Sequence, residues 1–165
     1  MIKSKELAFC GLLGAAALTI PFLFHIVHLG KVFMPMYLPL MLLAIYVRPM
    51  PAAMTAMIIP IMSGLLTGMP PFYPPIALLM SIEIAFMAAL LSGIRQTLRN
   101  IPLLVILVPV LTMGRVLQYV SIYLLAKFYE LPAQFIASAS LISGLPGLIL
   151  ICVTLPLIER LYKHG

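Results

Sequence analysis

Residues Ile76–Ile94 read IALLMSIEIAFMAALLSGI, nineteen residues with a single charge, Glu83. A helix needs about 20 mainly apolar residues to cross the hydrocarbon core of a bilayer, so this stretch is read as a membrane span. The polar turn RQTLRN (Arg95–Asn100) ends it, and a second apolar run, Pro102–Leu125, follows with Arg115 as its only charge. Two consecutive spans, each holding one charge of opposite sign, set the reading of the rest.

The whole chain agrees with them. Of 165 residues 64% are apolar, and ten Lys and Arg plus four acidic residues make 8% charged, against about 25% in soluble domains. A soluble globule is excluded. Six spans would use about 120 residues and leave about 45 for loops and termini, too few for a soluble domain. The expected fold is a single all-α integral membrane domain of six transmembrane helices in a compact bundle, over 7–27, 33–47, 52–68, 76–94, 102–125 and 135–158.

Prolines and charges mark the limits, because both are costly in lipid unless they sit at an end or inside the bundle. Met1–Ala17 has the charge-then-apolar order of a signal peptide, but the apolar run continues to Val27 and is kept as the first helix, with a kink expected at Pro21. The second span is short and carries Pro35 and Pro39, so its outer end is expected to be irregular or tilted. Met69–Pro75, MPPFYPP, has four prolines in seven residues and cannot be helical throughout.

A net charge of +6 invites a nucleic-acid reading, but the basic residues stand in ones and twos at the ends of apolar runs and form no clustered basic face. They read as topology signals. Lys3, Lys5, Arg48, Arg95, Arg99, Arg160 and Lys163 fall on one side and Lys31 and Lys127 on the other, which makes both termini cytoplasmic by the positive-inside bias. Tyr37, Tyr73, Tyr129 and Tyr162 are placed near the membrane interfaces. Cys10 and Cys152 lie in apolar stretches far apart and read as packing residues rather than a disulfide.

Glu83 and Arg115 remain inside the membrane. Glu83 is seven residues from Ile76, roughly 10 Å from the outer end, and Arg115 ten residues from Leu125, roughly 15 Å from the same side. Antiparallel neighbours would let them face each other. They either form the polar floor of a ligand site, the default meaning of an ionisable residue at such depth, or lock two helices as an ion pair. Thr112, Arg115, Gln118 or Tyr119, and Ile122 or Tyr123 share one face of the fifth span; that stripe lines a cavity or packs on polar groups of another helix. Ser138, Ser140 and Ser143 precede Gly144, Pro146 and Gly147 in the sixth span, where helix-interface serines are common.

His25 and His28, near Met34 and Met36, allow three readings: metal ligands, hydrogen bonding to a ligand, or interface anchoring. Two imidazoles without a carboxylate or third imidazole make a poor metal site, so no metal and no cofactor is assigned. Small pairs at spacing four, Gly11 with Ala15, Ala52 with Ala56, Gly64 with Gly68 and Ala85 with Ala89, permit close helix approach; Gly11 and Ala15 suit either internal packing or a partner subunit. Phosphate-loop, H-E-x-x-H and nucleophile-elbow motifs are missing from the sequence. An enzyme is not expected, and ATP coupling would need other subunits.

The order of segments then shows a resemblance. HIVHLGKVFMPMYLPLMLLAIYVRP (His25–Pro49), PIMSGLLTGMPPFYPPIALLMSIEIAFMAALLSGI (Pro60–Ile94), MGRVLQY (Met113–Tyr119) and SGLPGLILICVTLPLIERL (Ser143–Leu161) together resemble the substrate-binding S component of energy-coupling factor (ECF) transporters. The resemblance covers nearly the whole chain, although its motifs are less specific than a catalytic signature. It implies a six-helix bundle in the plasma membrane of a prokaryote. Such a bundle binds a water-soluble vitamin or related micronutrient in its outer half and docks on a transmembrane coupling subunit driven by two cytoplasmic ATPases. By position, His25, His28, Glu83, Arg115, Gln118 and Tyr119 would serve the ligand, with the loop from His28 to Met34 gating the pocket, and Gly11 and Ala15 would meet the coupling subunit. Competing readings are a structural membrane subunit in which Glu83 and Arg115 only lock helices, a transition-metal permease using His25 and His28, and a stand-alone carrier.

Overall fold

The computed structural model describes the backbone of residues 4–26, 35–73, 75–130 and 133–164, with side chains throughout these ranges except at 25, 26, 133–143 and 162–164. The described residues form six helices and no strand: α1 Ser4–Ile26, α2 Tyr37–Tyr46, α3 Pro49–Thr67, α4 Ile76–Thr97, α5 Leu103–Phe128 and α6 Ala133–His164. His28, Met34, Lys3, Lys31 and the side chains of His25, Ser138, Ser140, Ser143, Tyr162 and Lys163 lie outside the described residues.

Local chemistry sets the helix limits. Arg48 is extended (φ −60°, ψ 155°) and Pro49 is the first residue of α3, where its missing N–H costs nothing and its fixed φ already suits a helix. Gly68 ends α3 in the left-handed conformation (φ 73°), its N–H returning to the Gly64 carbonyl, the conformation only glycine adopts without penalty. The proline-rich segment that follows folds back on α3. The Ser63 hydroxyl donates to the Met69 carbonyl at 2.8 Å, and a Cβ on Gly64 would stand 2.8 Å from the Pro70 carbonyl oxygen.

Five helices are long and apolar enough to cross a membrane: α1, α3, α4, α5 and the Gly144–Leu161 part of α6. Large apolar side chains such as Leu12, Leu66, Val116 and Ile149 cover the outside of the bundle, a surface suited to lipid. The chain is therefore a multi-pass membrane protein of helices. The expected second span, 33–47, is described as a helix over only part of its length. α2 has ten residues, about 15 Å of rise, or half of the roughly 30 Å hydrocarbon core. Pro39 is its third residue, tolerated because the first-turn N–H groups lack helix partners anyway.

This short helix is the most enclosed. Leu40, Met41, Leu43 and Ala44 are fully buried, and Ile84, Met87, Leu91, Leu107 and Leu155 belong to the same core. α2 packs against α1, α3, α4 and α6, and α4 packs on both α3 and α5, with α6 beyond α5. α1 lies at the margin, with 11% of its apolar window buried.

One end of the bundle is tied by polar contacts. Glu6 of α1 accepts from Arg48 Nε at 2.8 Å and from Arg48 Nη2 at 2.8 Å. The Ser92 hydroxyl and the Gln96 amide of α4 donate to the Val47 carbonyl. Arg95 donates to Glu159 of α6 and to the carbonyls of Arg99 and Ile101. These contacts join the start of α1, the α2–α3 turn, the end of α4 and the end of α6, so the basic residues near these positions collect at one end. Their hydrogen bond and charge interaction with Glu6 hold the Arg48 guanidinium above its ordinary range.

Candidate functional site

Glu83, Arg115 and Gln118 are brought together at mid-depth. Glu83 precedes the end of α4 at Thr97 by fourteen residues, roughly 21 Å, and Arg115 follows the start of α5 at Leu103 by twelve, roughly 18 Å. Glu83 is 3% exposed, Arg115 7% and Gln118 9%. Arg115 Nη1 donates to Gln118 Oε1, one helical turn further along α5. Glu83 lies within electrostatic reach of Arg115 and of the Tyr37 hydroxyl.

Tyr37 completes the group and corrects its expected place near an interface. It opens α2 and is 1% exposed, with the Arg115 guanidinium carbon 5.3 Å from its ring centroid. A cation over an aromatic face in a desolvated setting is held by the ring quadrupole. Local reading misses this because a tyrosine in a Leu/Met run equally suits an interfacial anchor; the available signal is its place directly after Pro35 and Met36, where a short helix starts.

Close approach of α4 and α5 depends on Gly114. A Cβ there would fall 2.1 Å from Met87 Sδ, so the glycine beside Arg115 admits the Met87 side chain and brings α5 against the helix that carries Glu83.

The Tyr37 hydroxyl faces the Glu83 carboxyl as its hydrogen-bonding neighbour, and among the described residues Glu83 Oε1 has no close partner of its own. The end of the bundle shows the contrast, since both Glu6 carboxylate oxygens accept from Arg48. Buried polar groups are usually satisfied, so an acid oxygen left over at this depth makes the cluster the candidate site.

The other expected site residues fall elsewhere. Tyr119 is half-buried and stacks on Tyr123 with ring centroids 6.2 Å apart. Thr112 donates to its own helix at Val108 and, with Arg115, Leu111, Leu148 and Cys152, lines an open, largely apolar groove of about 370 Å³ between α5 and α6. Cys10 and Cys152 are both free thiols. Gly11 and Ala15 are exposed on α1, and a Cβ at Gly11 would meet nothing within 4 Å, whereas one at Gly14 would touch Ile59 at 3.4 Å. Among the described residues, the small size of Gly11 thus serves no contact. The His25 side chain and the whole of His28 lie outside the described residues. Sequence reading missed the Glu6–Arg48 and Arg95–Glu159 pairs, whose partners are 42 and 64 residues apart.

The chain matches no family model, no curated protein and no solved structure.

Proposed function

We propose that this chain is the substrate-binding membrane subunit of an ATP-driven importer of the energy-coupling factor type, taking up a water-soluble vitamin or related micronutrient. The observation that carries the reading is the enclosed mid-depth cluster of Glu83, Arg115, Gln118 and Tyr37, in which Glu83 Oε1 has no close donor among the described residues. Ionisable groups at such depth are costly and are retained where they handle a polar ligand. Multiple apolar helices without a catalytic motif fit a subunit that binds while partners hydrolyse ATP. The open small-residue face of α1 at Gly11 and Ala15 fits a transmembrane coupling subunit, with two ATPases on the cytoplasmic side of a prokaryotic plasma membrane.

The test is co-purification and ligand retention. Tagged chain drawn gently from its own membrane is expected to bring a membrane subunit and two ATPases, and native mass spectrometry to show a retained small molecule. Glu83→Ala and Arg115→Ala variants that remain folded are expected to lose it. Retention equal to the parent in both variants, or purification without ATPase partners, overturns the proposal.

A further inference from the structure

The groove between α5 and α6 meets the mid-depth cluster at one residue, Arg115. Val108 and Leu111 of α5 and Leu145, Leu148 and Cys152 of α6 wall a space of about 370 Å³, toward the small end of the roughly 300–1,000 Å³ that holds small organic molecules. Among the described residues Arg115 is the one charged side chain that lines it. Thr112, the polar residue one turn earlier, spends its hydroxyl proton on the Val108 carbonyl. Glu83, on α4, does not line the groove, so charge reaches it from Arg115.

Both helices give the groove the same depth. Val108 follows the start of α5 at Leu103 by five residues, roughly 8 Å, and Arg115 by twelve, roughly 18 Å. On α6, Cys152 precedes Glu159, the partner of Arg95 at the tied end of the bundle, by seven residues, roughly 10 Å, and Leu145 by fourteen, roughly 21 Å. The groove therefore runs from near the tied end to mid-depth, where Arg115 lies. A lipid tail suits the apolar walls, but a lipid keeps its headgroup at the membrane surface, far from a cation in the middle of a core about 30 Å thick.

The guanidinium selects the polar end of the occupant. It stays cationic and carries five N–H donors in a planar fork that matches a carboxylate. Its contact with Tyr37 is to the ring and its bond to Gln118 is made by Nη1, and neither excludes a carboxylate. Charge at this depth is costly, which favours the single charge of a carboxylate over a phosphate dianion.

We infer that the α5–α6 groove binds the apolar body of a small organic acid whose carboxylate meets Arg115. The inference rests on the importer reading for the acid's being its cargo, and it narrows that cargo to monocarboxylates with a compact apolar body.

The experiment uses the full chain in phosphatidylcholine nanodiscs, with native mass spectrometry reading the uptake of octanoate and of octanamide, which has the same chain without the charge. Octanoate taken up at least tenfold more strongly than octanamide, and at least tenfold less by Leu148→Trp, which fills the groove from its half-buried wall, is the expected result. A folded Arg115→Gln is expected to take both probes equally; melting temperatures check the folding of the variants. Equal uptake of the two probes by the parent marks a crevice that accepts any chain and overturns the inference. So does a preference for octanoate that survives Leu148→Trp or a folded Arg115→Gln, since the acid then binds elsewhere, and so does no uptake at all. These probes are read on the chain alone, whereas the importer reading falls separately, when the chain purifies without a coupling subunit and ATPases.

Discussion

The guanidinium carbon of Arg115 lies 5.3 Å from the centre of the Tyr37 ring, so the first residue of the shortest described helix carries the buried cation of α5. Two features combine to produce this. α2 covers only half the bilayer depth, which sets its first side chain at the level of Arg115. Gly114 then lets α5 approach α4 at Met87.

Tyr37→Ala is expected to cost about 3–5 kcal/mol, the usual loss for deleting a buried aromatic side chain, including the lost support of Arg115. Tyr37→Phe should cost much less, about 1 kcal/mol, because it keeps the ring and removes only the hydroxyl's hydrogen bond toward Glu83. Thermal unfolding in detergent checks the pair; a large loss in Tyr37→Phe would mean that the hydroxyl is held by more than that one contact.

Gly114→Ala is expected to destabilise by about 1–3 kcal/mol through overpacking, since the added methyl would overlap Met87 from Cγ to Cε. Combined with Met87→Ala, its effect should shrink sharply, giving a coupling that a double-mutant cycle reads directly. Additive losses would show that α4 and α5 do not meet through these two residues.

Neutralising one member of the buried Arg95–Glu159 pair, by Glu159→Gln or Arg95→Gln, should cost about 3–5 kcal/mol because the other charge stays buried. Replacing both with Met should recover most of that loss. Recovery stays incomplete, because Arg95 also donates to the carbonyls of Arg99 and Ile101. Unfolding of the three variants under one set of conditions decides it, and a double variant no better than either single one would contradict it.

Gly11→Ala should be neutral or stabilise by up to about 1 kcal/mol, the gain of removing glycine from a helix, because no atom lies within 4 Å of the added Cβ. Gly11→Leu should fold equally well and, if the proposed coupling subunit docks on this face, fail to co-purify with it. Intact assembly in Gly11→Leu would move the partner surface away from this face of α1.

Five of the six expected helical runs were legible because their signals are local. Ile76–Ile94 and Pro102–Leu125 are bounded by charges and turns, and the helices observed, Ile76–Thr97 and Leu103–Phe128, differ from them by a few residues. The second run, 33–47, has the apolar composition of a span, but its described helix, Tyr37–Tyr46, has only ten residues. Within the site, Glu83, Arg115 and Gln118 could be found from depth and helical spacing, as they lie on two neighbouring helices. Tyr119 shares that spacing but stacks on Tyr123. Tyr37 was hidden because its distance from Arg115 along the chain gives no local hint of contact.

Hydropathy, prolines and the scarcity of charge are properties of short stretches, and they sufficed to establish a helical membrane protein with Glu83 and Arg115 left deep inside it. Which arginine meets which acid was beyond them, because Glu6 and Arg48 are 42 residues apart and Arg95 and Glu159 are 64. The depth of α2 and the meeting of Tyr37 with Arg115 and Glu83 were likewise decided by tertiary packing. Side chains on separate helices share a site only once the helices have packed, and the close approach at Gly114 sets how those around it do so.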